Sequence, residues 1–205
     1  MATLLLTHRA RALVVAAAAA ALFSAPSTAH ADESRHGAGY VQLHPLGVTL
    51  DFASAGGASS TDARYPLELH GGYHLSGRHD GFVVGATQRF TFGDVSAGAT
   101  VARLGWDFAF ALGDSELTVA PFAFVGARYP FSQGDASAYF GFGVEGRYFL
   151  FSNAPGAATA PGAPGRAGGV LDGLYLVLKP LDLGFGPGTA SVVTLSFQAG
   201  AGLAF

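Results

Sequence analysis

The chain contains no cysteine, a single lysine (Lys179) and, beyond residue 31, no apolar run approaching 18 residues. The missing cysteine excludes a disulfide framework and thiolate-ligated metal. It also leaves no residue to carry the lipid of a bacterial lipoprotein. The missing long run excludes a membrane-crossing helix after residue 31. Charge is scarce too, at 12% of residues, about half the share of a water-soluble domain. What charge there is forms no basic patch or arginine run, which argues against nucleic acid as a partner. The 30 glycines sit mostly inside alternating segments and turns, and none builds a phosphate-cradling loop ahead of a helix.

The first feature present is an export signal. Arg9 and Arg11 form a basic start, Leu13 to Phe23 is uncharged and apolar, and Ala29-His30-Ala31 has the small-x-small pattern of a signal-peptidase site. Eleven apolar residues make about 16 Å of helix, too short for a hydrocarbon core of about 30 Å. Residues 1–31 are therefore expected to be a cleaved signal peptide, with residues 32–205 as one domain. Removing Arg9 and Arg11 from the 11 basic residues leaves nine against 14 acidic ones, a net charge of −5.

Half of the residues are hydrophobic, yet no helix can take them across a membrane. A sheet closed into a barrel can, because it satisfies every backbone group without water and turns an apolar face to lipid. The residues alternate accordingly. Tyr65, Leu67, Leu69, Gly71, Tyr73 and Leu75 share one face, opposite Glu68, His70, Gly72 and His74. The segments Phe82–Phe92, Leu104–Leu112, Phe140–Leu150 and Val193–Phe205 repeat the pattern. Two further segments, 38–53 and 172–185, change phase at His44-Pro45 and Lys179-Pro180. Proline cannot donate to a ladder, and one extra residue flips the facing of the strand beyond it, so Pro45 and Pro180 are read as bulges. The eighth segment, 117–129, keeps one phase but carries Phe122 and Phe124 on its other face. Outward aromatics recur eight apart at Tyr65/Tyr73, Phe82/Phe90, Phe140/Tyr148 and Phe197/Phe205. Eight residues span roughly 21 Å of membrane normal at about 40° tilt, which fits girdles at both rims of an apolar band.

The export signal, eight alternating segments and a closing strand that ends on Phe205 together resemble the small outer-membrane barrels of the OmpA transmembrane-domain and OmpX type. The resemblance rests on architecture over the whole mature chain, with no shared motif. It implies an all-β, eight-stranded antiparallel up-and-down transmembrane barrel in the outer membrane of a Gram-negative bacterium. It also implies contact with outer-membrane lipids and lipopolysaccharide, and recognition of the strand ending at Phe205 by the barrel-assembly machinery. Both termini are then periplasmic, with tight turns at 76–81 and 113–115 on that side. The linkers 54–63, 93–96, 130–137 and 186–190 lie outside. Residues 152–169, a flexible Pro/Gly/Ala loop, fall on the periplasmic side, where such barrels have short turns. Either that loop is atypical or the strand count is off by one.

The inward face carries Glu68, His70, His74, Arg89, Arg103, Asp107, Arg128, Glu145, Arg147 and Gln198. An eight-stranded barrel is just wide enough for side chains to fill, so these charges are expected to pair and plug it. Glu145 and Arg147 lie about 7 Å apart on one strand face, within reach of each other. His70 and His74 are about 14 Å apart, too far for one metal ion, and a site would need His44 and Glu68 from neighbouring strands. His74-Leu75-Ser76 matches the His-x-Ser spacing of outer-membrane lipid A deacylases and nothing further. No catalytic, cofactor-binding or metal residue is assigned. The expected role is structural or interactive, on short external loops. A narrow channel for small or apolar solutes, a lipid A-modifying enzyme and a secreted lipocalin-like binder are the alternatives. The lipocalin reading puts the apolar face inward.

Overall fold

Alternation with period two becomes strand wherever the chain is described, which in this computed structural model covers residues 39–76, 81–94, 96–112, 115–131, 135–150, 173–187 and 191–205. The expected signal peptide and the 152–169 loop lie outside those residues. Eight strands succeed one another in order: β1 (Gly39–Ala55), β2 (Ala58–His74), β3 (Gly81–Phe92), β4 (Ala97–Leu112), β5 (Ser115–Pro130), β6 (Ser137–Phe149), β7 (Leu174–Gly186) and β8 (Ser191–Ala204). Each pairs antiparallel with its sequence neighbours, and β1 pairs with β8 to close the barrel.

The register fixes the barrel's proportions. Phe52 pairs with Thr61 on β2. The other way round, pairings lead from Phe52 through Val193, Phe185, Phe140, Val125, Ala102 and Ala86 to Gly71 on the same strand. One circuit therefore shifts the sheet by about ten residues, from Thr61 to Gly71. Ten steps of about 3.3 Å against eight strand spacings of about 4.8 Å give a tilt of about 41°. The backbone then sits about 8 Å from the axis, which leaves room for interior side chains and little else.

Both expected bulges are present. Leu43 and Leu46 of β1 face Ala201 and Ala199 of β8, three steps against two. Lys179 and Asp182 of β7 face Gln198 and Ser196, again three against two. The extra residue in each case restores the outward facing of the apolar set. Leu43 is 45% exposed and Leu46 63%, on opposite phases of the same strand. Between β1 and β2 the ladder lapses from His44/Glu68 to Thr49/Arg64. There the Tyr65 hydroxyl donates to the Pro45 carbonyl, occupying an acceptor that the lapsed ladder leaves open.

One expectation needs correction. Residues 54–63 are not a linker. The β1–β2 ladder continues to Ala55↔Ala58 and closes in a two-residue turn at Gly56-Gly57, both at positive φ. Small residues hide a strand because they carry no apolar alternation, and Ala53–Ser60 is all Ala, Ser and Gly. Phe122 and Phe124, on the face of β5 opposite its outward set as the alternation has them, are buried inside the barrel with Tyr139, Ala99 and Val101. The interior is therefore part aromatic. Room for interior rings comes from glycines on adjoining strands: a Cβ on Gly72 would stand 2.4 Å from Tyr40 Cζ, and one on Gly202 2.3 Å from Tyr175 Cζ.

Candidate functional site

The two faces of the sheet are opposite in chemistry. The outer face exposes Leu69, Leu104, Trp106, Phe108, Phe110, Phe142, Leu176 and Phe197, among others, to about half of their full surface. The expected aromatic pairs all point outward or half outward, and Tyr65–Phe92 and Phe140–Phe185 stack at 6.5 and 5.9 Å. The inner face buries Glu68, His70, Glu145, Gln198 and Asp182 completely. Of the ten residues expected inside, nine are buried and Arg128 is half-buried.

Because β1 and β7 bulge on either side of β8 at one level, His44 and Lys179 enter the lumen there, beside Glu68 of β2. Arg89 of β3 grips the Glu68 carboxylate through Nε at 2.8 Å and through its terminal nitrogen at 2.7 Å. Lys179 donates to the other Glu68 oxygen, and Asp182 accepts from Arg89. Lys179 lies 3.4 Å from Asp182, which completes a ring of two acids and two bases. Gln198 donates to Glu68 at 3.4 Å, and His44 Nδ1 sits 3.3 Å from it.

A second set lies toward the end that holds the chain's Gly39 and Phe205. Glu145 accepts from Arg103 at 2.8 Å, from Arg147 Nε at 2.7 Å and from Gln42 at 3.1 Å. Arg147 also donates to Asp107, which lies 2.8 Å from His74 Nε2. The Arg147 guanidinium lies over the Tyr40 ring at 4.2 Å and donates to its hydroxyl at 3.0 Å. The same hydroxyl is 2.9 Å from His70 Nε2, while His70 Nδ1 is 2.7 Å from Thr87. Arg103 covers the face of Phe122 at 3.6 Å, a cation–π contact that uses the aromatic part of the interior.

At the opposite mouth, Asp51 meets Arg128 at 2.5 Å and Arg64 at 3.3 Å, and Arg64 bonds Asp62 at 2.8 Å. Each of the three sets thus holds two carboxylates and two bases: Glu68/Asp182 with Arg89/Lys179, Glu145/Asp107 with Arg103/Arg147, and Asp51/Asp62 with Arg64/Arg128. Buried charges at this depth are tolerable only when paired and hydrogen-bonded, and each of these three sets is neutral; a further buried carboxylate, Glu116, accepts from Thr118 at 3.3 Å. A cavity of about 10 Å³ between the first and third sets, lined by Asp51, Arg89, Thr91, Arg128, Tyr139 and Thr194, has room for about one water.

Sequence reasoning named Glu145–Arg147 as a pair, and they are one. It did not place Gln42, Asp51, Lys179 or Asp182 inside, although the phase on each side of the two bulges assigns all four inward. His44 and Glu68, the nearest approach to a metal pair, do meet. Lys179 and Arg89 occupy that carboxylate, and no cluster able to hold a metal occurs among the described residues. His74 faces the lumen against Asp107, while Leu75 and Ser76 are exposed at the turn.

An antiparallel eight-stranded barrel, closed, greasy outside and ion-paired inside, has the architecture of a transmembrane β-barrel. Neither protein families nor curated proteins give a sequence match to the chain. Among solved structures, it is similar to the crystal structure of Neisserial surface protein A, at 12% identity and a TM-score of 0.46 over 82% of this chain and 97% of that one. Ail, the attachment invasion locus protein of Yersinia pestis, is similar at 12% identity and a TM-score of 0.31, over 82% and 99% of the two chains. A second Ail structure, in complex with the heparin analogue sucrose octasulfate, gives 10% identity and a TM-score of 0.34, over 83% and 99%.

Proposed function

We propose that this chain is a non-enzymatic integral outer-membrane barrel of a Gram-negative bacterium, exported by a cleaved signal peptide at 1–31, with a structural or interaction role. One observation carries the reading: apolar side chains stand half-exposed around the wall while six carboxylates and six bases are locked in balanced sets within it. In water, each half-exposed Leu or Phe forgoes about 1 kcal/mol of burial, and such an extended apolar surface marks a membrane or protein contact. Against acyl chains that cost disappears. Three stacked neutral sets leave no continuous file for ions, so the lumen acts as a plug. Its partners on this reading are outer-membrane lipids and lipopolysaccharide around the wall, and the barrel-assembly machinery at the strand ending in Phe205.

Two measurements test this. The protein should partition with outer membranes and change electrophoretic mobility on boiling, as folded barrels do in detergent. In planar bilayers it should give no steady openings. Reproducible unitary conductance would replace the plug with a narrow channel, and a purely soluble, monodisperse protein would end the membrane reading.

A further inference from the structure

Three polar side chains lie on the outer face of the wall and meet there. Gln88 of β3 shares the outward phase of Phe82 and Phe92, Thr100 of β4 that of Leu104 and Trp106, and Tyr129 of β5 that of Val125 and Phe131. Thr100 donates to Gln88 Oε1 at 2.6 Å, and Gln88 Nε2 donates to the Tyr129 hydroxyl at 2.8 Å. The two hydroxyls stand 3.4 Å apart. Gln88 and Thr100 are register partners, and the Tyr129 ring lies over Gly98, where a Cβ would stand 2.4 Å from it.

Depth makes this trio unusual. Gln88 is four residues in from Phe92 at one aromatic girdle and six from Phe82 at the other, about 10 and 15 Å along the membrane normal at a tilt of about 41°. It therefore sits well inside the apolar band, where a polar side chain is expensive and points to a function. Between the girdles, the other outward positions among the described strands hold apolar residues, glycine or proline, Thr100 apart. The trio meets the cost only in part. A glutamine amide has two N–H donors and two acceptor lone pairs. Tyr129 takes one donor and Thr100 fills one lone pair, while the second N–H reaches the Arg89 carbonyl at a long 3.4 Å. One acceptor site and most of one donor are left over among the described residues.

Acyl tails at this depth offer an amide nothing, but a second copy of the chain does. Every copy lies at the same depth in the same orientation. Across a two-fold axis along the membrane normal, Gln88 faces Gln88, and each amide gives one N–H and receives one. The surrounding surface lets two walls come close. Ala86, Ala102, Ala123, Ala127 and Gly98 floor the outer face of β3–β5, below Phe90 and above Leu104. Small residues beside a hydrogen-bonding side chain are the combination that holds transmembrane segments together in lipid. We propose that the chain forms a two-fold dimer in the membrane through the outer faces of β3, β4 and β5, with a Gln88–Gln88 amide pair at its axis. The inference rests on the membrane reading above and names a partner, a second copy, for the interaction role.

The test uses the full mature protein in lipid vesicles. The chain has no cysteine of its own, so Ala102→Cys reports the contact directly: oxidation should link two copies through it. Leu195→Cys, on the outer face of β8, should give no link. Energy transfer between copies labelled at the N-terminal amine should rise with protein density. Gln88→Leu keeps the size and loses the amide, and it should need about tenfold higher density for the same transfer. Ala102→Phe fills the floor and keeps the amide, and it should weaken association as well. Copies that stay apart at every density, association unaltered in both variants, or linking as ready at Leu195→Cys as at Ala102→Cys would overturn the proposal. So would a lipid that copurifies with the wild type and is lost from Gln88→Leu, since the amide would then serve that lipid. A heat-modifiable, membrane-embedded monomer sinks this inference alone, whereas a protein that never enters membranes sinks the reading beneath it.

Discussion

Replacing Glu68 by Gln would keep the shape of the lumen and remove one charge from its most enclosed set. In the wild type, the carboxylate takes two hydrogen bonds from Arg89 and one from Lys179, and Asp182 balances the second base. Glu68, Lys179 and Asp182 are 0 to 1% exposed, so solvent does not screen the change. The variant leaves two cations on Asp182 alone, an uncompensated positive charge in the barrel centre. Breaking a buried pair from one side typically costs about 3–5 kcal/mol, and the intact Arg89–Asp182 contact argues for the lower half. Adding Lys179→Met removes the surplus charge, and the double variant should recover about 2 kcal/mol relative to Glu68→Gln. Equilibrium unfolding in lipid, followed by the fluorescence of the sole tryptophan, Trp106, reads both values from one protein. A cost below about 1 kcal/mol for Glu68→Gln, or no recovery in the double variant, would refute the claim that charge balance holds the lumen closed.

Two further outcomes test the wall. Leu104→Arg places a guanidinium on the outer face of β4, where Leu104 is 52% exposed; it should cost about 2–4 kcal/mol near the bilayer midplane, and a neutral result in the same unfolding assay would mean that this face meets water. Deleting Pro180 removes the extra residue of the β7 bulge and turns Leu174, Leu176 and Leu178 inward. The deletion should abolish the heat-modifiable band, while Pro180→Ala, which keeps the residue count, should retain it.

Much of this architecture could be read in advance because a lipid-facing strand has to alternate and a barrel has no spare layer in which to hide exceptions. The closing strand shows it plainly: Val193, Phe197 and Phe205 point outward, and Thr194, Ser196 and Gln198 are buried. Where apolar residues were missing, so was the signal. Ala53–Ser60 alternates nothing, and so the hairpin that rises from the rim looked like a linker. Phe122 and Phe124 lie on the inner face that the alternation assigns them, and they blurred the strand for the opposite reason. An aromatic ring is at home in lipid and equally at home under a guanidinium, and here Arg103 on the adjoining strand β4 covers Phe122 on the lumen side.

Lys179 shows how far local reading reaches. As the only lysine it leaves the wall without long solvating side chains, and its own ammonium group lies inside against Glu68. Its partner, however, is 111 positions earlier in the chain, and their meeting depends on a shear of about ten residues and a bulge on each side of β8. Facing is a local property, set by counting in twos from the nearest proline. Pairing belongs to the closed barrel, so the list of interior charges was largely accessible from the chain while the three neutral sets were not. The bulges at Pro45 and Pro180 join the two levels: each keeps leucines on the lipid side of its strand, and together they deliver His44 and Lys179 to the same carboxylate.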